Sequence, residues 1–221
     1  MPPASAAKPP RRRLSPEERR NELIAVGADE FGRRPYDDVR IDEIAERAGV
    51  SRALMYHYFP DKRSLFAAVV RAEGERLFEA TNTPAQPGQG LFDRLRAGVL
   101  AYVEYHERHP HGSSAAHLGV GRTDPVFVNI DDADNERQMR RIVGEIGTVS
   151  GALGKKLQRD IEVVVYGWLA FTMELCRRRI VDPTLDAGRL ADWCAHCLLD
   201  AIARIPGIPA QLAEAVAPEN R

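Results

Sequence analysis

The sequence predicts an all-α protein with an N-terminal three-helix head of the helix-turn-helix kind and a larger C-terminal helical body. Three observations predict it. Residues 41–62 read as two short helices broken by one glycine, and apolar residues recur at i, i+3, i+4 and i+7 through most of the chain. No alternating stretch competes as a β-strand, because the β-branched runs at 126–130 and 161–165 are too short or sit in longer helical contexts.

The elements follow in order. Residues 1–13 form a basic arm, with Lys8, Arg11, Arg12 and Arg13 among prolines and alanines. A first helix opens where Ser15 caps, Pro16 takes the first helical position and Glu18 completes a capping box. Ile24, Ala28 and Phe31 form its inner face and Gly32 ends it. The next helix puts Ile41, Ile44, Ala45 and Ala48 on one stripe and leaves Asp42, Glu43, Glu46 and Arg47 to water. Gly49 closes it in the left-handed conformation, Val50 turns inward and Ser51 caps a helix that begins at Arg52. That helix buries Met55 and Phe59, so Arg52, Ala53, Tyr56 and His57 lie on the opposite side, suited to a major groove.

A further helix starts at Asp61, an N-cap after the breaker Pro60, and turns Leu65, Phe66, Val69 and Val70 inward. Residues 81–90 are the clearest breaker cluster, and a helix from Leu91 to about His109 follows. Residues 110–130 read as a short helix and loops, and a helix spans about 132–149 with the acids at 131–134 at its N-terminus. Two stronger helices, about 153–179 and 186–205, close the body, and 206–221 reads as a tail. The domain boundaries predicted are therefore 1–13 arm, 14–60 head, 61–205 connector helix and body, and 206–221 tail.

The order apolar-x-x-Ile-Ala-x-x-Ala-Gly-Val-Ser-x-x-x-Met-Tyr-x-Tyr-Phe-Pro-x-Lys over 41–62, followed by Leu65 and Phe66, resembles the DNA-binding domain of the TetR (tetracycline-repressor) family of bacterial transcriptional regulators. The resemblance runs from Leu14 to Val70, about a quarter of the chain. It implies a regulator, here a repressor, released from its operator when a small hydrophobic or amphipathic effector enters a pocket in the body, making that body a ligand-binding and dimerisation domain. One departure stands out: where the family carries Ser or Thr near the start of the first motif helix, this chain has Val39-Arg40, which leaves Arg40 as the candidate to replace that hydroxyl–phosphate contact and its role open.

The DNA-binding candidates are accordingly Arg40, Ser51, Arg52, Ala53, Tyr56, His57, Tyr58 and Lys62. Arg52 suits guanine or phosphate, Ala53 a thymine methyl, Tyr56 and His57 phosphate or a base edge; Tyr58 and Lys62 are read as phosphate anchors. For the effector pocket the candidates are Tyr102, Tyr105, His106, Phe127, Met139, Trp168, Phe171 and Met173, which mix large apolar surfaces with a few polar tips. One head is too small for tight specific binding, so a homodimer on an operator with paired half-sites is expected, joined through the last two helices with Trp168 and Trp193.

Composition bounds the rest. The chain has 221 residues, 44% apolar and 29% charged, with a net charge of −1. That balance belongs to a globular chain with a sizeable core, and no apolar run is long enough to span a bilayer. With no secretory segment and an odd cysteine count, the chain is expected in the cytoplasm, with no membrane partner and no disulfide framework. No nucleophile elbow, phosphate-binding glycine loop or zinc-protease helix occurs, so no enzyme activity and no cofactor are predicted. His106, His109, His111 and His117 lack a convincing metal-ligand spacing, and Cys194 and Cys197 read as small buried packers. The alternatives weighed against an effector-released repressor are a metal- or thiol-redox-responsive regulator using those histidines or cysteines, and an enzyme that retains a helical head.

Overall fold

The computed structural model describes residues 14–82, 84, 86, 88–109, 124–151 and 153–217. Its regular elements are α1 (Pro16–Arg33), a 3-10 turn (Tyr36–Asp38), α2 (Ile41–Arg47), α3 (Arg52–Tyr58), α4 (Lys62–Ala80), α5 (Leu91–Arg108), α6 (Pro125–Ser150), α7 (Lys155–Val181), α8 (Ala187–Ala203) and α9 (Ala210–Ala215). No strand occurs among the described residues. The basic arm and residues 110–123, with His111 and His117, lie outside them.

Local chemistry sets the helix starts. Ser15 and Glu18 satisfy each other's backbone N–H groups at the start of α1, and Asp61 and Ser64 do the same for α4. Ser51 Oγ accepts from Leu54 N–H at 3.2 Å, capping α3. Gly49 holds φ +66°, the left-handed geometry that a glycine takes without a Cβ penalty.

The head closes around Leu23, Ile24, Ile44, Met55 and Phe59, each at most 4% exposed. Burying side chains of this size contributes about 1.5–3 kcal/mol each. This core does not stop at residue 60. It takes in Leu65, Phe66, Val69 and Val70 from α4, together with Phe127 and Ile130 from α6. Phe66 is its hub, edge-on to Phe31 at 4.8 Å and to Phe127 at 4.9 Å, with Tyr36 tilted at 5.0 Å. Ion pairs knit the surface, with Arg47 reaching Asp29 and Glu30 on α1, and Arg34 reaching Glu43 on α2.

In the body α5 packs along α8, and α7 lies between α6 and α8. A second core, centred on Ile146, Ile161, Val165, Leu198, Leu199 and Ile202, joins them. Helices α4 and α6 run side by side in the same direction. Arg63 on α4 forms two hydrogen bonds with Asp124, the N-cap of α6, at 2.6 and 2.9 Å. Further along come Phe66 against Phe127, Arg137 with Glu75, and Arg141 donating to the Phe78 carbonyl at 3.1 Å. Among the described residues no helix is long and apolar enough to cross a membrane.

Four expectations are corrected. Helix α6 starts at Pro125 rather than near 132, because Asp124 caps it through the Val126 N–H and Pro125 fills its first turn. The β-branched residues 126–130 are therefore helical, and the acids at 131–134 lie within the helix instead of at its N-terminus. The expected tail contains α9, whose Leu212 is fully buried and which packs on α6, with Val216 just beyond it at 1% exposed. Finally, Trp168 points into the body, 7% exposed, with its indole N–H donating to the Cys194 carbonyl at 2.7 Å.

Candidate nucleic-acid interface and effector cavity

Helix α3 owes its two faces to the spacing of Met55 and Phe59, 0% and 1% exposed, which pin one side into the head. Arg52, Ala53, Tyr56 and His57 stand on the outside, and Tyr56 is 44% exposed. That is a large aromatic with a hydroxyl, presented to solvent beside a basic residue. Arg52 reaches back to Asp42 at 3.1 Å while its side chain stays 72% exposed, so the pair holds it in place and leaves it accessible. Ser51 is exposed and spends its hydroxyl oxygen on the cap.

Three other candidates sit differently. Tyr58 is half-buried, packs on the head core and meets His57 edge-on at 5.4 Å. Lys62 turns its ammonium inward, donating to the Tyr36 carbonyl at 2.8 Å and the Asp37 carbonyl at 3.3 Å, above the Tyr36 ring at 4.4 Å. It latches the start of α4 to the 3-10 turn, a structural use of its charge that the sequence reading did not foresee. Val39 is 1% exposed and belongs to the core, whereas Arg40, the N-cap residue of α2, is exposed.

The body encloses a cavity of about 430 Å³ walled by α4, α5, α6 and α7. Five of the eight predicted effector residues line it: Tyr102, Tyr105, His106, Trp168 and Met173. The other three do not, and each is a correction. Phe127 is 2% exposed inside the head core, because α6 begins early enough to carry it there. Met139 packs on the body core from a different side of α6. Phe171 is 41% exposed, because the cavity takes the α7 face bearing Trp168, Thr172 and Met173.

Sequence reasoning missed the polar part of this wall. Glu73, 5% exposed, accepts from the Tyr105 hydroxyl at 2.7 Å and pairs with Arg76 at 2.5 Å. Burial, aided by that carboxylate, pushes the Tyr105 phenol upward, and burial does the same to Tyr102. Asp134 faces the cavity half-buried, and desolvation raises its carboxyl despite Arg137 and Arg71 nearby. Arg141 is pushed down by burial while its guanidinium donates to the Phe78 carbonyl and Thr81 Oγ1, both at 3.1 Å. Glu73 and Asp134 interrupt otherwise helical apolar patterns. A buried-charge signal of that kind was available in the sequence, but only the packing of α4 against α6 puts the two residues on one wall.

The thiols divide. Cys176 and Cys194 are buried, which pushes them up to about 12 and about 11, far from reactive thiolates at neutral pH. Cys197 is exposed, one turn beyond Cys194, which corrects its reading as a buried packer. Among the described residues no group of three His, Cys, Asp or Glu side chains comes together as a metal set.

Residues 23–69, from within α1 to the first half of α4, match the family model described as bacterial regulatory proteins, tetR family. The chain is 33% identical over 100 residues to the HTH-type transcriptional activator FasR of Mycolicibacterium smegmatis, covering 45% of this chain and 46% of that protein. It is 30% identical over 133 residues to the HTH-type transcriptional repressor AcnR of Corynebacterium diphtheriae, covering 55% and 64%. The chain thus spans between about half and two thirds of the length of these curated relatives. Beyond the head the fold carries the likeness. A tetR-family transcriptional regulator from Streptomyces coelicolor superposes over 92% of this chain and 88% of its own, with a TM-score of 0.73 and 26% identity. A TetR-like regulator from Rhodococcus sp. RHA1 does so over 87% and 100%, with a TM-score of 0.67 and 20% identity, which speaks to fold alone. With residues 23–69 matched in sequence and 92% of the chain superposing on a tetR-family regulator, the chain is similar to the TetR family of bacterial regulatory proteins.

Proposed function

We propose that the protein is a dimeric transcriptional repressor that reads paired half-sites through α3 and leaves them when a small molecule fills the body cavity. One observation carries this reading: α4 is at once a wall of the head core and a wall of the cavity, through Phe66 at one end and Glu73 to Thr81 at the other. A ligand that alters how α4 lies against α6 acts directly on the helix that seats the head. It shifts the equilibrium by its differential affinity for the two arrangements.

Within this reading α3 supplies the base contacts through Arg52, Ala53, Tyr56 and His57, while Arg40 and Ser51 approach phosphate on either side. The head, residues 14–60, acts with the first turns of α4 as one folding unit. Dimerisation falls to α7 and α8, whose solvent sides leave Val163, Phe171 and Trp193 63%, 41% and 51% exposed. Apolar exposure of that kind fits a four-helix contact across a two-fold axis.

The test starts with selection of binding duplexes from a random pool by the purified protein, followed by titration of the selected site with Tyr56→Ala. The expected selection is an inverted repeat, and the expected variant is a dimer by light scattering whose affinity for that site is abolished. A selected site bound equally well by Tyr56→Ala would remove α3 as the reading helix.

A further inference from the structure

Five carboxylates but only three guanidinium groups line the cavity. The guanidiniums are already engaged: Arg94 with Glu145 at 3.2 Å, Arg177 with Glu174 at 2.6 Å, and Arg141 with the Phe78 carbonyl and Thr81 Oγ1. An anionic ligand would have to break one of these arrangements. Among the carboxylates, Asp134 differs in this respect. Asp134 makes no hydrogen bond or ion pair with any described residue, although it is half-buried and its burial disfavours the charge it carries. It lies against Gly74 on α4, where a Cβ would collide with its carboxylate, so the absence of a side chain at Gly74 makes its seat in the wall. Glu73, the residue before Gly74, sets a second carboxylate into the same wall, held by Tyr105 and by a half-exposed Arg76.

An independent feature points the same way. The Thr81 hydroxyl donates to the Leu77 carbonyl at 2.9 Å, so it can only accept from Gln138, and the Gln138 amide must turn its NH2 group toward it at 3.1 Å. Gln138 Oε1 is thereby left buried without a partner among the described residues, one turn of α6 beyond Asp134. An unpaired buried acceptor costs about 1–3 kcal/mol, so this wall favours an incoming donor. Tyr102, Tyr105 and Trp168 supply aromatic surface in the same cavity, which suits an apolar body and the face of a cation.

Resting on the effector-released reading above, we propose that the effector is a cationic amphiphile whose ammonium group sits between Glu73 and Asp134 while its apolar part lies against Tyr102 and Trp168. Asp134 gains a direct ion pair beyond the longer-range charges of Arg137 and Arg71, and the ligand cation bridges α4 to α6. The site discriminates by charge, because an alcohol leaves Asp134 without an ion pair and a carboxylate ligand adds to the negative charge of the wall.

The probes are decylammonium, decanoate and 1-decanol, each below its aggregation concentration. They are titrated into the full chain in a Trp193→Phe background, so that Trp168 alone reports through its fluorescence. The expected result is saturable binding of decylammonium, with decanoate and decanol at least tenfold weaker. Glu73→Gln and Asp134→Asn should each weaken the cation by roughly thirtyfold, the loss that follows removal of one partner from a buried charge pair. Both variants should still bind the selected duplex, which shows that they are folded. Equal or tighter binding of decanoate or decanol, or cation binding unchanged in both variants, overturns the proposal. If such a neutral or anionic probe also releases the duplex, the effector-released reading stands and only the ligand class falls. If no probe changes the Trp168 signal or the duplex affinity, both fall.

Discussion

Replacing Phe127 by alanine should loosen the head, although Phe127 belongs to the body in sequence. Its ring is 2% exposed, stands edge-on to Phe66 at 4.9 Å, and lies in the core formed by α1 to α4. Removing a ring so enclosed costs about 3–5 kcal/mol through lost transfer energy and the cavity left behind. The Phe66 hub keeps Phe31 and Tyr36 on its other sides, so the space cannot collapse fully. If the head opens as its own unit, its opening equilibrium rises by about two to three and a half powers of ten. Native-state hydrogen exchange reads this directly. Amides of α1, α3 and the first half of α4 should lose protection by that amount, while those of α8, built on Leu198, Leu199 and Ile202, should hardly move. Affinity for the selected duplex should fall with the head, and binding to the cavity should persist because Phe127 is not in its wall. Protection lost only in α7 and α8, or lost equally everywhere, would refute the assignment of Phe127 to the head core.

Two further outcomes follow from single residues. Gly49→Ala should cost about 1–2 kcal/mol, since φ +66° penalises a Cβ while no atom lies within 4 Å of it; Gly49→Asn should cost less, and urea titration followed by head amide signals compares them. Asp134→Asn should stabilise the ligand-free protein at neutral pH. Burial raises the folded-state pKa of this acid above its unfolded value, so ionisation penalises the native state increasingly as pH rises from the unfolded pKa through the folded one. The advantage of the variant should therefore appear over that window and vanish below it, where both states carry a protonated acid. Melting temperatures across pH 3 to 8 check this, and a benefit that grows toward low pH would contradict it.

The head was legible because its signals are local. Capping residues, one left-handed glycine and an apolar stripe are all read within a few positions, and Ser15, Ser51 and Asp61 cap where the sequence predicts. The start of α6 was not, because residues 126–130 are β-branched and their helicity comes from tertiary burial of Phe127 and Ile130 against α4. Helix α9 escaped for a similar reason: six residues bear too little periodicity to stand out, and only the burial of Leu212 reveals them. In the cavity the aromatic lining from α5 was visible as helical spacing, whereas the meeting of Glu73 with Asp134 depends on how two helices sixty residues apart are aligned. Lys62 shows the converse limit, since its charge was plain but its engagement with the Tyr36 and Asp37 carbonyls was not.

The shared direction of α4 and α6 restricts the movements open to the protein. Their cross-links recur along the length of α4, from Arg63 with Asp124 near its first turn to Phe78 with Arg141 near its last. Sliding one helix past the other by a single residue would break all of these rungs at once, whereas tilting the pair as a plank about the body core would break none. Under the proposed function, a signal raised at the cavity end is thus delivered to α3 as an angle, and the displacement it produces there grows with distance from the pivot.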